Sequence, residues 1–156
     1  MKRILLTGMA GTGKSSVVLE LVARGHTAVD VDEPDWSEAR LDDGEWVWRE
    51  DRVQSLLSTA DAEVLFVSGC ASNQVKFYRQ FDHIILLSAP QEVVVERLAN
   101  RSNNSFGKRP EELAQVLGDL RDTEPKLRRV AGSEIDTTAP LSEVVDAVLR
   151  IARVGA

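Results

Sequence analysis

The chain has 156 residues, the length of one domain with room for a buried core. Hydrophobic residues make up 43% and charged residues 28%, an ordinary globular mix, and the formal charge of −6 argues against a nucleic-acid scaffold, which a phosphate backbone would repel. One cysteine excludes an internal disulfide, and no apolar run approaches a membrane span. The expectation is a cytoplasmic protein, a monomer or weak dimer, with neither nucleic acid nor membrane as a partner.

Taken in chain order, the first element expected is a strand over residues 3–7. The opening MKRILLTG reads as a core strand and not as a targeting segment. It runs into Gly8, Met9, Ala10, Gly11, Thr12 and Gly13, followed by Lys14, Ser15 and Ser16. The spacing Gly8-x-x-x-x-Gly13-Lys14-Ser15 is that of a phosphate-binding loop. Its small residues let backbone N–H groups turn toward phosphate oxygens, Lys14 can reach the β- and γ-phosphates, and the Ser15 hydroxyl can ligate Mg²⁺. A helix over 14–24, closed by Gly25, completes the strand–loop–helix context that the motif requires.

A second strand over 27–30 leads into VDVDEPDW. Asp30 and Asp32 lie two apart at its carboxyl end, one suited to hold Mg²⁺ and the other to orient or deprotonate an acceptor hydroxyl. GEWVWREDRVQ is expected within a helix over 45–58. That helix would put Arg49 and Arg52 on one face, either of them able to clamp an anionic acceptor. A third strand over 64–67 ends in Ser68, where many P-loop proteins carry a metal-binding acid, which leaves Asp30 as the metal's nearest carboxylate. After it, Gly69 permits close approach of a ligand and Asn73 can hydrogen-bond one. Cys70 is expected to be a packed small residue, and His26 and His83 to be structural.

The remaining elements are a strand over 83–87, helices over 91–101 and 111–122, a strand over 134–136 and a helix over 141–150. Between Arg97 and Arg109 lie four cations (Arg97, Arg101, Lys108, Arg109) and no acid. With the turn-forming SNNSFG between them, they predict a basic lid over residues 101–110 that closes on phosphates. Alternating strands and helices predict an α/β fold: a three-layer α/β/α P-loop NTPase domain over 1–156 with a five-stranded parallel sheet. Its ligands belong at the carboxyl ends of the strands. An acceptor-binding segment is expected at about 33–60.

In this order of parts the sequence resembles the P-loop small-molecule kinases: shikimate kinase and gluconate kinase, and more distantly the nucleotide kinases. The resemblance spans most of the chain, but only the phosphate loop is highly specific. It implies a nucleotide-kinase-like arrangement of the fold, ATP and Mg²⁺ as cofactors and a small-molecule phosphoryl acceptor. Lys14, Asp32 and Arg109 would be catalytic, and Ser15 and Asp30 would bind the metal. Trp48-Arg49 matches an aromatic–arginine pair that holds an acceptor carboxylate. Arg109-Pro110 matches a lid arginine on phosphate, and Arg97 or Arg101 with Pro140 would flank the adenine. Two departures fall in the acceptor pocket: Gly69-Cys70-Ala71 replaces a three-glycine turn, and Arg52 stands where an acid follows the clamp arginine. A nucleoside or nucleotide kinase, and an ATP-binding switch or ATPase acting on a protein partner, are the alternatives.

Overall fold

The computed structural model describes residues 1–102 and 104–153. Strand β1 (Lys2–Thr7) lies at the centre of a five-stranded sheet with β2 (Thr27–Asp30), β5 (Val64–Ser68), β6 (His83–Ser88) and β7 (Ser133–Asp136), in the order β2-β5-β1-β6-β7. Every neighbouring pair in that sheet is parallel. Consecutive side chains on a strand face opposite sides, so the apolar runs feed two cores. Ile4, Leu6, Phe66, Ile85 and Leu87 pack on one side with Val17 and Leu21 of α1 (Lys14–Ala23) and Val144, Val145 and Val148 of α6 (Leu141–Ala152). On the other side Leu5, Leu65 and Val67 pack with Val53 and Leu57 of α2 (Glu50–Thr59) and with Trp48, Phe77 and Phe81. These are the three layers the sequence predicts, and the strand boundaries agree to within a residue or two.

The segment between β2 and α2 differs from expectation. Residues 46–48 are not the first turn of a helix. They form strand β4 (Trp46–Trp48), antiparallel to β3 (Ser37–Ala39), with Ser37 opposite Trp48 and Ala39 opposite Trp46. Trp-Val-Trp is a strand-favouring run, and Gly44 at φ 72° supplies the left-handed turn residue that lets the chain double back. Helix α2 therefore starts at Glu50, where Glu50 and Asp51 suit the positive end of a helix dipole. Arg49 is its extended N-cap, so Arg49 and Arg52 do not share a helix face. Two further elements were unexpected: a 3₁₀ helix over Ser72–Gln80 and the short helix α5 (Glu124–Val130). Helices α3 (Gln91–Asn100) and α4 (Pro110–Asp122) flank the predicted lid, and Val94, Leu98 and Val116 form a small core of their own. Asn103, part of that predicted lid, lies outside the described residues. Among the described residues, no helix is long and apolar enough to cross a membrane.

Candidate functional site

The loop between β1 and α1 is shaped by its glycines. Gly11 and Gly13 sit at φ 80° and 96°, conformations that L side chains rarely adopt. A Cβ on Gly8 would collide with the Leu87 carbonyl oxygen of β6 and come within 2.8 Å of Thr12 Oγ1. Lys14 curls back over this loop: its Nζ donates to the Gly8 carbonyl at 2.6 Å and to the Met9 carbonyl at 3.0 Å. The Thr12 hydroxyl donates to the Met9 carbonyl at 2.7 Å. The Met9 side chain is buried against Leu86 and Leu127, and Ala10 packs on the α3 cluster. Ser15 and Ser16 open α1 with exposed side chains. An ammonium group parked on carbonyls, beside backbone too tight for any side chain, fits a polyphosphate. The lysine is available to exchange those carbonyls for phosphate oxygens.

Asp30 and Asp32 follow one another at the carboxyl end of β2. The Asp32 amide donates to Asp30 Oδ1 at 3.0 Å. Asp30 pairs in register with Ser68 of β5, so their side chains share a sheet face. Ser68 Oγ is buried without a hydrogen-bond partner among the described residues. Those residues hold no group of three or more His, Cys, Asp or Glu that could bind a metal ion by itself. A nucleotide-borne Mg²⁺ needs only one or two protein ligands beside the phosphates and water, and Asp30, Ser15 and the orphaned Ser68 hydroxyl fit that smaller demand.

Asp32 is the most constrained carboxylate of the site. Its Oδ1 accepts from Trp48 Nε1 at 3.0 Å and its Oδ2 from the Cys70 amide at 2.9 Å. The Trp46 indole donates to its backbone carbonyl at 2.6 Å. Burial pushes the Asp32 carboxyl above the usual range, against the opposing pull of Lys14 and of the Trp48 and Cys70 hydrogen bonds. Lys14 thus lies within electrostatic reach of Asp32. Burial also raises the Cys70 thiol, which fits a packed residue. What approaches Gly69 closely is the chain itself: a Cβ there would lie 2.8 Å from Asp32 Oδ1 and 3.0 Å from the Trp48 ring.

The residues expected on the acceptor side are more committed than the sequence implied. Asn73 is buried; its side chain accepts from the Trp48 amide at 3.1 Å and donates to the Trp48 carbonyl at 2.9 Å and to Glu50 Oε2 at 3.1 Å. It clamps β4 in place. Arg49 Nε donates to the Ser37 carbonyl at 3.3 Å and sits 3.8 Å from Glu38; Arg52 donates to the Asp35 carbonyl at 2.7 Å. Both line an open groove of about 570 Å³ with Glu38, Arg40, Asn73 and Lys76. Neither Lys14 nor Asp32 is among its walls, so phosphoryl chemistry at the loop would take place outside it.

Three of the four cations between 97 and 109 find backbone carbonyls. Arg97 donates to Gly11 and Thr137, Arg101 to Asn104 and Phe106, and Lys108 to Ala99. Burial lowers the Arg101 guanidinium from its ordinary value. Arg109 is exposed, and among the described residues its guanidinium makes no ion pair. Arg97, which the sequence offers with Arg101 as a flank for adenine, donates to the phosphate loop at the Gly11 carbonyl. Pro140 is exposed at the N-cap of α6.

A parallel sheet with such a loop after its central strand defines a P-loop nucleotide-binding domain. The AAA domain family model matches residues 4–118, so the chain belongs to that family. No curated protein matches it in sequence. Among solved structures, the shikimate kinase from Acinetobacter baumannii in complex with shikimate aligns at a TM-score of 0.69 and 20% identity, covering 98% of this chain and 93% of that one. The shikimate kinase from Bacteroides thetaiotaomicron aligns at 0.70 and 15%, covering 98% and 99%. A gluconokinase from Sinorhizobium meliloti 1021 aligns at 0.63 and 24%, covering 97% and 92%. At these identities the likeness is one of fold: the three-layer arrangement of the P-loop kinases.

Proposed function

We propose that this chain is an ATP-dependent kinase that transfers the γ-phosphoryl group to a hydroxyl of a small molecule. The observation that carries the reading is Asp32: a carboxylate held by Trp48 and Cys70, within electrostatic reach of Lys14 of the phosphate loop. A fixed carboxylate beside the transferring phosphoryl is what a hydroxyl acceptor needs, to orient it and to take its proton as the new P–O bond forms. The proton leaves the acceptor oxygen for Asp32, and the departing oxygen stays on ADP.

Lys14 and the loop amides hold the β- and γ-phosphates. Ser15 and Asp30 would hold Mg²⁺, with Ser68 completing its polar surroundings; bound there, the ion neutralises charge on the phosphates. Arg109, exposed and unpaired among the described residues, supports the reading of a cation that joins the γ-phosphate when residues 101–110 close. Arg101 and Pro140 would flank the adenine. Arg49 and Arg52, which line the mixed-charge groove, would tether an anionic part of an acceptor whose hydroxyl reaches out of it to the loop. Kinases of shikimate and of gluconate share this fold, and hydroxylated carboxylic acids head the panel of acceptors.

The test is ATP consumption over shikimate, gluconate, nucleosides, nucleoside monophosphates and hydroxylated antibiotics, with product mass measured in parallel. A phosphorylated small molecule is expected. Tight ATP binding with no phosphorylated product from any of these would favour a nucleotide-dependent switch acting on a protein partner.

A further inference from the structure

Two carbonyl oxygens of the phosphate loop are held from outside it. The Gly11 carbonyl accepts from Arg97 Nη1 at 3.3 Å, and the Thr12 carbonyl accepts from Thr137 Oγ1 at 2.7 Å. The two holders are themselves joined: Arg97 Nη1 donates to Thr137 Oγ1 at 2.8 Å and Nη2 to the Thr137 carbonyl at 2.7 Å. Thr137 is buried, and its amide donates to the Ser88 carbonyl at 2.8 Å, which ties it to the end of β6. Its hydroxyl has one proton. The Thr12 carbonyl at 2.7 Å is a nearer acceptor than the Ser88 carbonyl at 3.2 Å. A relay therefore runs from the Arg97 guanidinium through the Thr137 hydroxyl to the loop, charge-assisted at one end and shielded from water in the middle.

The geometry gives this relay a consequence for binding. A peptide unit is planar, so the carbonyl of one residue and the N–H of the next point in opposite directions. Fixing the Thr12 carbonyl outward fixes the Gly13 N–H inward. The holders pack directly against Gly13: a Cβ there would lie 3.5 Å from Thr137 Oγ1 and 3.7 Å from Arg97 Nη1, ordinary contact distances, and it is the φ of 96° that calls for glycine.

We infer that Arg97 and Thr137 are positioning residues that preset the peptide planes of the phosphate loop for a polyphosphate. This rests on the reading that the loop binds a triphosphate. Presetting the loop removes part of the ordering cost that a ligand would otherwise meet. The planar fork of arginine reaches two oxygens of Thr137 and the Gly11 carbonyl together, which a lysine ammonium does not match in geometry.

Calorimetric binding of MgATP, and of inorganic tripolyphosphate with Mg²⁺, tests this in wild type, Thr137→Val, Thr137→Ser and Arg97→Met, with a ligand-free thermal melt of each. Thr137→Val and Arg97→Met should weaken both ligands about five- to tenfold, the loss of one or two buried hydrogen bonds, while Thr137→Ser, which keeps the hydroxyl, stays within about twofold of wild type. If Arg97→Met weakens MgATP but binds tripolyphosphate like wild type, Arg97 covers the base and the inference is wrong. If Thr137→Val folds and binds both ligands like wild type, it is equally wrong. Should Thr137→Val fail to fold, Arg97→Met decides by the same two ligands. A wild type that binds neither ligand removes the triphosphate reading itself, and the inference with it.

Discussion

The two ends of the site are built from different material. At the phosphate loop the contacts fall on the backbone: Lys14 on the Gly8 and Met9 carbonyls, Arg97 and Thr137 on those of Gly11 and Thr12. On the side proposed for the acceptor, contacts between side chains join the backbone ones: the Trp48 indole on Asp32, Asn73 on Glu50, Arg49 facing Glu38. A site made of backbone recognises a group common to all nucleoside triphosphates and depends on glycines in few replaceable conformations. A site made of side chains can be re-specified by a handful of substitutions while the sheet beneath it stays the same.

The largest effect is expected where the two ends meet. Lys14→Ala should cut phosphoryl transfer on the order of a thousandfold or more, because its ammonium offsets charge on the phosphates at the moment of transfer. The fold should survive, since Lys14 contacts only loop carbonyls; steady-state ADP release and a thermal melt measure the two halves of that claim. Wild-type turnover would break the assignment of the loop.

Asp32→Asn separates the ends. Turnover should fall by roughly a hundredfold or more, while the dissociation constant for MgATP changes little. An equal loss in both would mean that Asp32 serves the nucleotide and that the contrast is drawn in the wrong place.

Arg109→Ala should follow, with turnover lowered by about a hundredfold at most and little change in ATP affinity. Protease sensitivity near Lys108, lost on adding a non-hydrolysable ATP analogue with acceptor, would sharpen the picture. A variant that turns over like wild type would leave residues 101–110 as a basic surface loop.

The smallest change sought is Trp48→Phe, which keeps an aromatic ring against Phe77 and removes the indole N–H from Asp32. Losing a hydrogen bond to a charged group should lower turnover by about tenfold. The melting temperature should fall by a few degrees as well, because the smaller ring leaves space in the core. A drop in stability with unchanged turnover would make Trp48 a core residue only.

The same contrast decides what the sequence discloses. The phosphate loop is legible because its chemistry is local: the glycines, Lys14 and Ser15 occupy one short stretch between an apolar strand and a helix. The sheet is legible because buried parallel strands are continuous apolar runs, as at Val64–Ser68 and His83–Ser88. The hairpin of β3 and β4 was hidden because Trp46 to Arg52 carries charges at helical spacing, and only its pairing with Ser37–Ala39 makes the first part a strand. The bond between Trp48 and Asp32 spans 16 residues and exists only because that hairpin folds back; no local spacing announces it. In the basic stretch the four cations are legible, but the backbone carbonyls that Arg97, Arg101 and Lys108 meet are not, because no composition reveals them.

The central claim is that the two ends act in one reaction. The most direct measurement incubates wild type and Lys14→Ala with γ-labelled ATP, Mg²⁺ and the acceptor panel, and follows the label by mass spectrometry. The expected result is label on a small-molecule hydroxyl with wild type and none with Lys14→Ala. Label appearing only as inorganic phosphate, whatever is offered as acceptor, would contradict it.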